Sequence, residues 1–115
     1  MTRLRAAALA WALPALARDA AATRTTTVAV TIGKPTEFRF TLSKRAVRRG
    51  TVVFKVTNRG TLAHDFQIAG KKTKRLGKGA TATLRVVFRK AGRYPYKCTV
   101  PGHAAAGMKG VLKVT

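Results

Sequence analysis

From Thr25 onward the chain alternates apolar and polar residues with a period of two, and nothing else in it restricts the fold as strongly. Val28, Val30 and Ile32 alternate with Ala29 and Thr31, and Phe38, Phe40 and Leu42 with Arg39 and Thr41. Val52, Phe54 and Val56 alternate with Val53, Lys55 and Thr57, and Leu84, Val86 and Phe88 with Arg85, Val87 and Arg89. Successive side chains of a strand point to opposite faces, so each run has one face for a core and one for water. Shorter candidate strands lie at 64–68, 93–98 and 110–115. Between the runs fall turn formers: Gly33-Lys34-Pro35, Arg49-Gly50, Asn58-Arg59-Gly60, Gly70, Gly77 with Gly79, Ala91-Gly92 and Pro101-Gly102. No long stretch of helical period follows Thr25. The pattern predicts one all-β domain over residues 23–115, an antiparallel β-sandwich of roughly seven to eight strands.

Residues 1–22, MTRLRAAALAWALPALARDAAA, follow another rule. Arg3 and Arg5 precede an apolar stretch at 6–17. Ala15-Leu16-Ala17 and Ala20-Ala21-Ala22 are small-x-small cleavage sites. That is the layout of a secretory signal peptide, and the stretch is too short to span a bilayer comfortably. Export to the periplasm, the cell surface or the medium is the expectation. The single cysteine cannot form an intramolecular disulfide, so the domain must stand on its core or on a bound metal. The hydrophobic fraction of 46% is enough for such a core.

The chain carries 24 Lys and Arg against 3 Asp and Glu, a formal net charge of +21. Such a charge attracts anionic partners in general. Arg39, Lys55, Arg85 and Arg89 fall at outward strand positions, and Lys71-Lys72-Thr73-Lys74-Arg75 forms a polar stretch, which reads as a solvated basic surface. Phe38, Phe40, Phe54 and Phe88 fall in core phase, whereas single-strand binders expose aromatics for base stacking. No specific nucleic-acid site is therefore expected.

The chemistry concentrates in CTVPGHAAAGM, residues 98–108, which holds the only cysteine, one of two histidines and one of two methionines. The other histidine is His64, in NRGTLAHDFQI. His64 shares a strand face with the core-type residues Phe66 and Ile68, and Cys98 shares one with Tyr94 and Tyr96. Both therefore point inward at strand ends, and the loop after Cys98 brings back His103 and Met108. Two imidazoles, a thiolate and a thioether form a soft donor set that suits copper, and a thioether is an unusual zinc ligand. Asp65, directly after His64, is placed to accept backbone N–H groups near Cys98 and Thr99 and so to tie the two ligand segments together.

At these residues the sequence resembles the cupredoxins, the small plastocyanin- and azurin-like type 1 (blue) copper proteins. VVFKVTNRGTLAHDFQI and GRYPYKCTVPGHAAAGMKGVLKV carry the resemblance, which spans about residues 25–115. It implies a Greek-key sandwich, one copper ion held by His64, Cys98, His103 and Met108, and single-electron transfer between redox partners. Four residues separate Cys98 from His103, more than plastocyanin's usual two; the His-to-Met gap is plastocyanin-like, so the subfamily stays open. Multicopper enzymes need more histidines than this chain has, so a non-enzymatic electron carrier is expected. A copper carrier or storage protein is the alternative. The basic surface predicts a monomer docking on acidic redox donors and acceptors, or resting on an anionic membrane surface.

Overall fold

The computed structural model describes residues 24–115. The segment read as an export signal, residues 1–22, lies outside them. Among the described residues, nine strands form two sheets: β1 (Thr25–Ile32), β2 (Phe40–Leu42), β3 (Ala46–Val47), β4 (Gly50–Asn58), β5 (Gln67–Ile68), β6 (Lys71–Lys72), β7 (Thr81–Phe88), β8 (Gly92–Lys97) and β9 (Lys109–Val114). One sheet runs β2-β1-β4-β7 and the other β3-β9-β8-β5-β6. The all-β sandwich expected from the alternation is the observed fold.

Two features of the sheets differ from the expectation. First, the sheets are mixed. β1 pairs with β4 in parallel along its whole length, and β3 pairs with β9 in parallel. Between β1 and β4 the chain visits the opposite sheet through β3, so β4 returns alongside β1 running the same way. Alternation reports which face a residue occupies and is blind to the direction of the neighbouring strand. Second, Phe38 is not part of a strand. β2 begins at Phe40, and the segment carrying Glu37 and Phe38 loops away from the sheet. The stretch 64–68 is likewise only partly strand: His64 forms an isolated bridge with Leu76, and β5 starts at Gln67.

The core lies between the sheets. Val28, Val30 and Ile32 from β1, Val52, Phe54 and Val56 from β4, and Leu112 and Val114 from β9 are buried. Phe66 stands at its centre, with ring centroids 5.3 Å from Phe54 and 5.5 Å from Phe40 and Tyr96. It is fully buried and lies two residues after His64, so packing of the core and placement of His64 are one event. Replacing Phe66 by alanine is expected to cost about 3–5 kcal/mol, the range for removing a buried phenyl ring. Denaturant unfolding of the metal-free protein checks this; a loss below about 1 kcal/mol would show that the ring is not structural.

Every lysine and arginine among the described residues is exposed. Of these described lysines and arginines, only Arg75 has a carboxylate within ion-pair range, Asp65 at 4.0 Å. Lys55 and Arg85 are outward positions of β4 and β7 as the phase expected, whereas Arg39 and Arg89 are exposed just outside β2 and β7.

Candidate metal centre

Three loops meet where the sequence placed the donor set. The first, 58–64, leaves β4 through Asn58, which is buried and fully engaged. Its Nδ2 donates to the carbonyls of Leu62 (2.9 Å) and Leu76 (2.8 Å), and its Oδ1 accepts from Gly60 N (2.9 Å). A buried amide satisfied in this way sets the course of the turn and delivers His64 inward. His64 is then held to residue 76 by a pair of backbone bonds, His64 N to Leu76 O (3.1 Å) and Leu76 N to His64 O (2.7 Å).

The second loop, 98–108, closes on itself. Cys98 N donates to Met108 O (3.1 Å), and Met108 N donates to His103 O (3.1 Å). Pro101-Gly102 makes the turn that presents His103. Gly102 takes φ +82°, and His103 N donates to Val100 O at 3.1 Å, the arrangement in which proline suits the first central position and glycine the second. Met108 is thereby returned beside Cys98, and it is fully buried.

The third loop, 33–39, is the one that sequence reasoning missed. Gly33 packs directly on Gly60. A Cβ on Gly33 would lie 2.5 Å from the Gly60 backbone, and its φ of +84° also favours glycine. That close approach brings Glu37 and Phe38 against the histidines. The Phe38 ring sits edge-on to His103 at 5.1 Å and to His64 at 6.4 Å. Glu37 Oε2 accepts from His64 Nε2 at 2.5 Å, and Glu37 Oε1 accepts from Thr61 N and Thr61 Oγ1, both at 2.8 Å. The only hint in the sequence was rarity, since Glu37 is one of three acids in the chain.

The donor atoms converge. One ligand atom each from His64, Cys98 and His103 lies within 4.8 Å of the others. His64 Nδ1 is 3.1 Å from His103 Nδ1, and Cys98 Sγ is 3.7 Å from His103 Nδ1. His64 and Cys98 are buried, whereas His103 is only partly so. A carboxylate can only accept, so the His64 Nε2 facing Glu37 carries a proton, and His64 Nδ1 faces the cluster. Burial lowers the His103 pKa, with His64 adding to the effect, so this ring is neutral near pH 7. Burial pushes the Cys98 thiol up, while backbone N–H groups of Asp65 and Val100 pull it down. The Glu37 carboxyl is held at about 2, chiefly by its bond to His64 and then by Thr61.

Asp65 ties the loops together as expected. Its Oδ1 accepts from Thr99 N at 2.6 Å and its Oδ2 accepts from Thr99 Oγ1. The residue after one donor is thus bonded to the residue after another.

A two-sheet β-sandwich with buried imidazole and thiol donors converging from its connecting loops defines a class of metal-site β proteins. The family model described as a cupredoxin-like domain matches residues 5–114, and the chain belongs to that family. It is 32% identical over 98 residues to the copper-resistant cuproprotein CopI of Rubrivivax gelatinosus. That alignment covers 66% of this chain and 59% of the relative, so the chain spans somewhat over half of that protein's length. Among solved structures, auracyanin A, a "blue" copper protein of the green thermophilic photosynthetic bacterium Chloroflexus aurantiacus, superposes with a TM-score of 0.67 at 19% identity, covering 80% of this chain and all of the other. Rusticyanin of Thiobacillus ferrooxidans superposes with a TM-score of 0.64 at 23% identity, covering 79% and 77% of the two chains. At these identities the two structures bear on the fold.

Proposed function

We propose that the protein is a mononuclear type 1 copper protein that carries single electrons between redox partners. The observation that carries this reading is the convergence of His64, Cys98 and His103 within 4.8 Å, with Met108 bonded through its backbone to both Cys98 and His103. Two imidazole nitrogens, one thiol sulfur and a buried thioether match copper's preferences better than those of zinc or a hard cation. Bound copper supplies a Cu(II)/Cu(I) one-electron couple. The protein's residues do the rest. Cys98 would hold the metal as its thiolate, so its thiol proton would have to leave on uptake. His64 and His103 would offer Nδ1, and Met108 would supply the weak thioether donor. His103 is the partly exposed donor, and Ala105 and Ala106 beside it are exposed, so a partner can approach its ring edge closely. Both histidines serve this one centre, which leaves none for a second copper and assigns the chain no catalytic step.

The test is to load the protein with Cu(II) and record visible and EPR spectra with a voltammogram. An intense thiolate-to-copper band and a reversible one-electron wave are expected. A weak, tetragonal copper spectrum would refute the type 1 reading. The copper-resistant relative favours a second reading, a copper-handling protein. Rapid surrender of copper to a chelator without a reversible couple would select it.

The proposed partners are acidic redox proteins or an anionic membrane surface, because every exposed charged side chain among the described residues is a lysine or an arginine. Association, and with it the electron-transfer rate, is expected to fall as salt rises from ~0.01 to ~0.15 M, where the screening length shrinks from ~30 to ~8 Å. A rate that ignores salt would count against charge-steered docking. The domain is proposed to be exported after removal of residues 1–22 and to act as a monomer outside the cytoplasm. The positive start, apolar stretch and small-residue cleavage sites support the export reading.

A further inference from the structure

The Glu37 side chain makes more polar contacts at the cluster than any donor side chain does. Its side chain is 24% exposed while His64 beside it is fully buried. Oε1 meets Thr61 N and Thr61 Oγ1; Oε2 meets His64 Nε2 and, at 3.3 Å, Leu62 N. The backbone is shaped around it, since a Cβ on Gly60 would collide with the Glu37 carboxylate. The next residue, Phe38, packs edge-on to both imidazoles.

We propose that Glu37 is a positioning residue for the metal centre, holding His64 as the Nε2–H tautomer so that Nδ1 is a preformed donor. The inference rests on the reading of the cluster as a metal centre. A metal-bound histidine is oriented by what its other ring nitrogen donates to, and a carboxylate in that place both fixes the tautomer and makes the imidazole a stronger donor. Here the carboxylate comes from a loop that carries no ligand, so closure of 33–39 over 58–64 presets the buried histidine before metal arrives. The negative charge also favours the more positive oxidation state, so Glu37 contributes more to Cu(II) binding than to Cu(I) binding.

Glutamine at position 37 separates positioning from bulk. It has almost the same shape, but every group around the carboxylate donates. Glutamine must therefore turn its NH2 either toward His64 Nε2 or toward the Thr61 N–H. In the first case His64 becomes the Nδ1–H tautomer, with a proton where the metal should sit. In the second the amide clashes with a backbone donor and the loop loosens.

The experiment compares unaltered protein with Glu37→Gln. Long-range ¹H–¹⁵N spectra of the metal-free forms read the His64 tautomer, and competition titrations read Cu(II) and Cu(I) affinity. The expected result is Nε2–H in the unaltered protein, loss of that state in the variant, and Cu(II) affinity about 10–100-fold weaker. The Cu(I) loss should be smaller. The tautomer measurement on unaltered protein needs no variant, so the test survives a variant that fails to fold. An Nδ1–H His64 in the unaltered protein would overturn the proposal, and so would a folded variant that binds Cu(II) within twofold of it. If the unaltered protein does not take up copper at all, the metal-centre reading fails instead, and the tautomer still decides what Glu37 does to His64.

Discussion

Replacing Cys98 by serine is expected to remove the intense visible band of the copper-loaded protein entirely and to abolish metal-dependent stabilisation. The reason is the donor, not the fold. Cys98 is buried, and its Sγ lies 3.7 Å from His103 Nδ1. Serine is close in size but offers a hydroxyl that stays protonated and binds copper weakly; the thiolate is what gives both affinity and charge-transfer absorption. A metal held at a thousandfold excess over Kd stabilises the native state by about 4 kcal/mol, and the variant should lose nearly all of that. The metal-free variant should unfold within about 1 kcal/mol of the parent, because the new hydroxyl faces imidazoles rather than a purely apolar pocket. Thermal unfolding with and without copper makes the comparison. If the serine variant keeps the band, or keeps the copper-induced rise in Tm, the thiolate is not at the centre. Coulombic binding of copper to this cationic surface is no confounder, since exposed lysines and arginines repel the ion.

The faces of the strands were legible in the sequence because burial acts residue by residue. Val28, Val30 and Ile32, or Phe54 and Val56, had to be buried whichever strands lay beside them, and they are. The inward phase of His64 and Cys98 followed from the same logic through Phe66, Ile68 and Tyr96. What could not be read was which strand neighbours which, and in what direction. The parallel pairing of β1 with β4 depends on the chain visiting the other sheet through β3, whose two residues leave almost no pattern.

The supporting loop was illegible for a related reason. Phe38 keeps the alternation of Phe40 and Leu42 and does pack against the core, yet the strand starts only at Phe40. Glu37 reaches His64 because Gly33 lies against Gly60, a backbone contact between positions 27 residues apart that leaves no periodic trace. Asp65 was visible because it neighbours one donor and its partner, Thr99, neighbours another. Local sequence thus carried the convergence of His64, Cys98 and His103 and the Asp65–Thr99 tie, while the long-range loop that brings Glu37 to His64 emerged only with the fold. Proximity to a donor in sequence predicts a tie, and distance from it conceals one.

That tie should be costly to cut. Asp65→Ala is expected to destabilise the metal-free protein by about 2–4 kcal/mol, with two hydrogen bonds to an ionised acceptor each contributing about 1.5–3 kcal/mol and part of that returned as the buried charge disappears. The returned part is limited. Thr99 N–H and Thr99 Oγ1 currently meet the two carboxylate oxygens, and the Asp65 side chain is 2% exposed, so truncation strands donors where water enters poorly. Arg75 contributes little, at 4.0 Å and 58% exposed, and Arg75→Gln should therefore move stability by less than about 1 kcal/mol. Asn at position 65 should fall between. Its carbonyl can keep the Thr99 N–H, and its NH2 can donate to the Thr99 hydroxyl oxygen, which reverses the second bond rather than deleting it. Urea unfolding orders the three variants, and the rate of copper loss to a chelator should follow the same order, because the 98–108 loop and the His64 segment then separate more easily. An Asp65→Ala protein as stable as the parent, with copper retained as long, would mean that the loops are held by the Cys98–Met108 backbone bond and core packing alone.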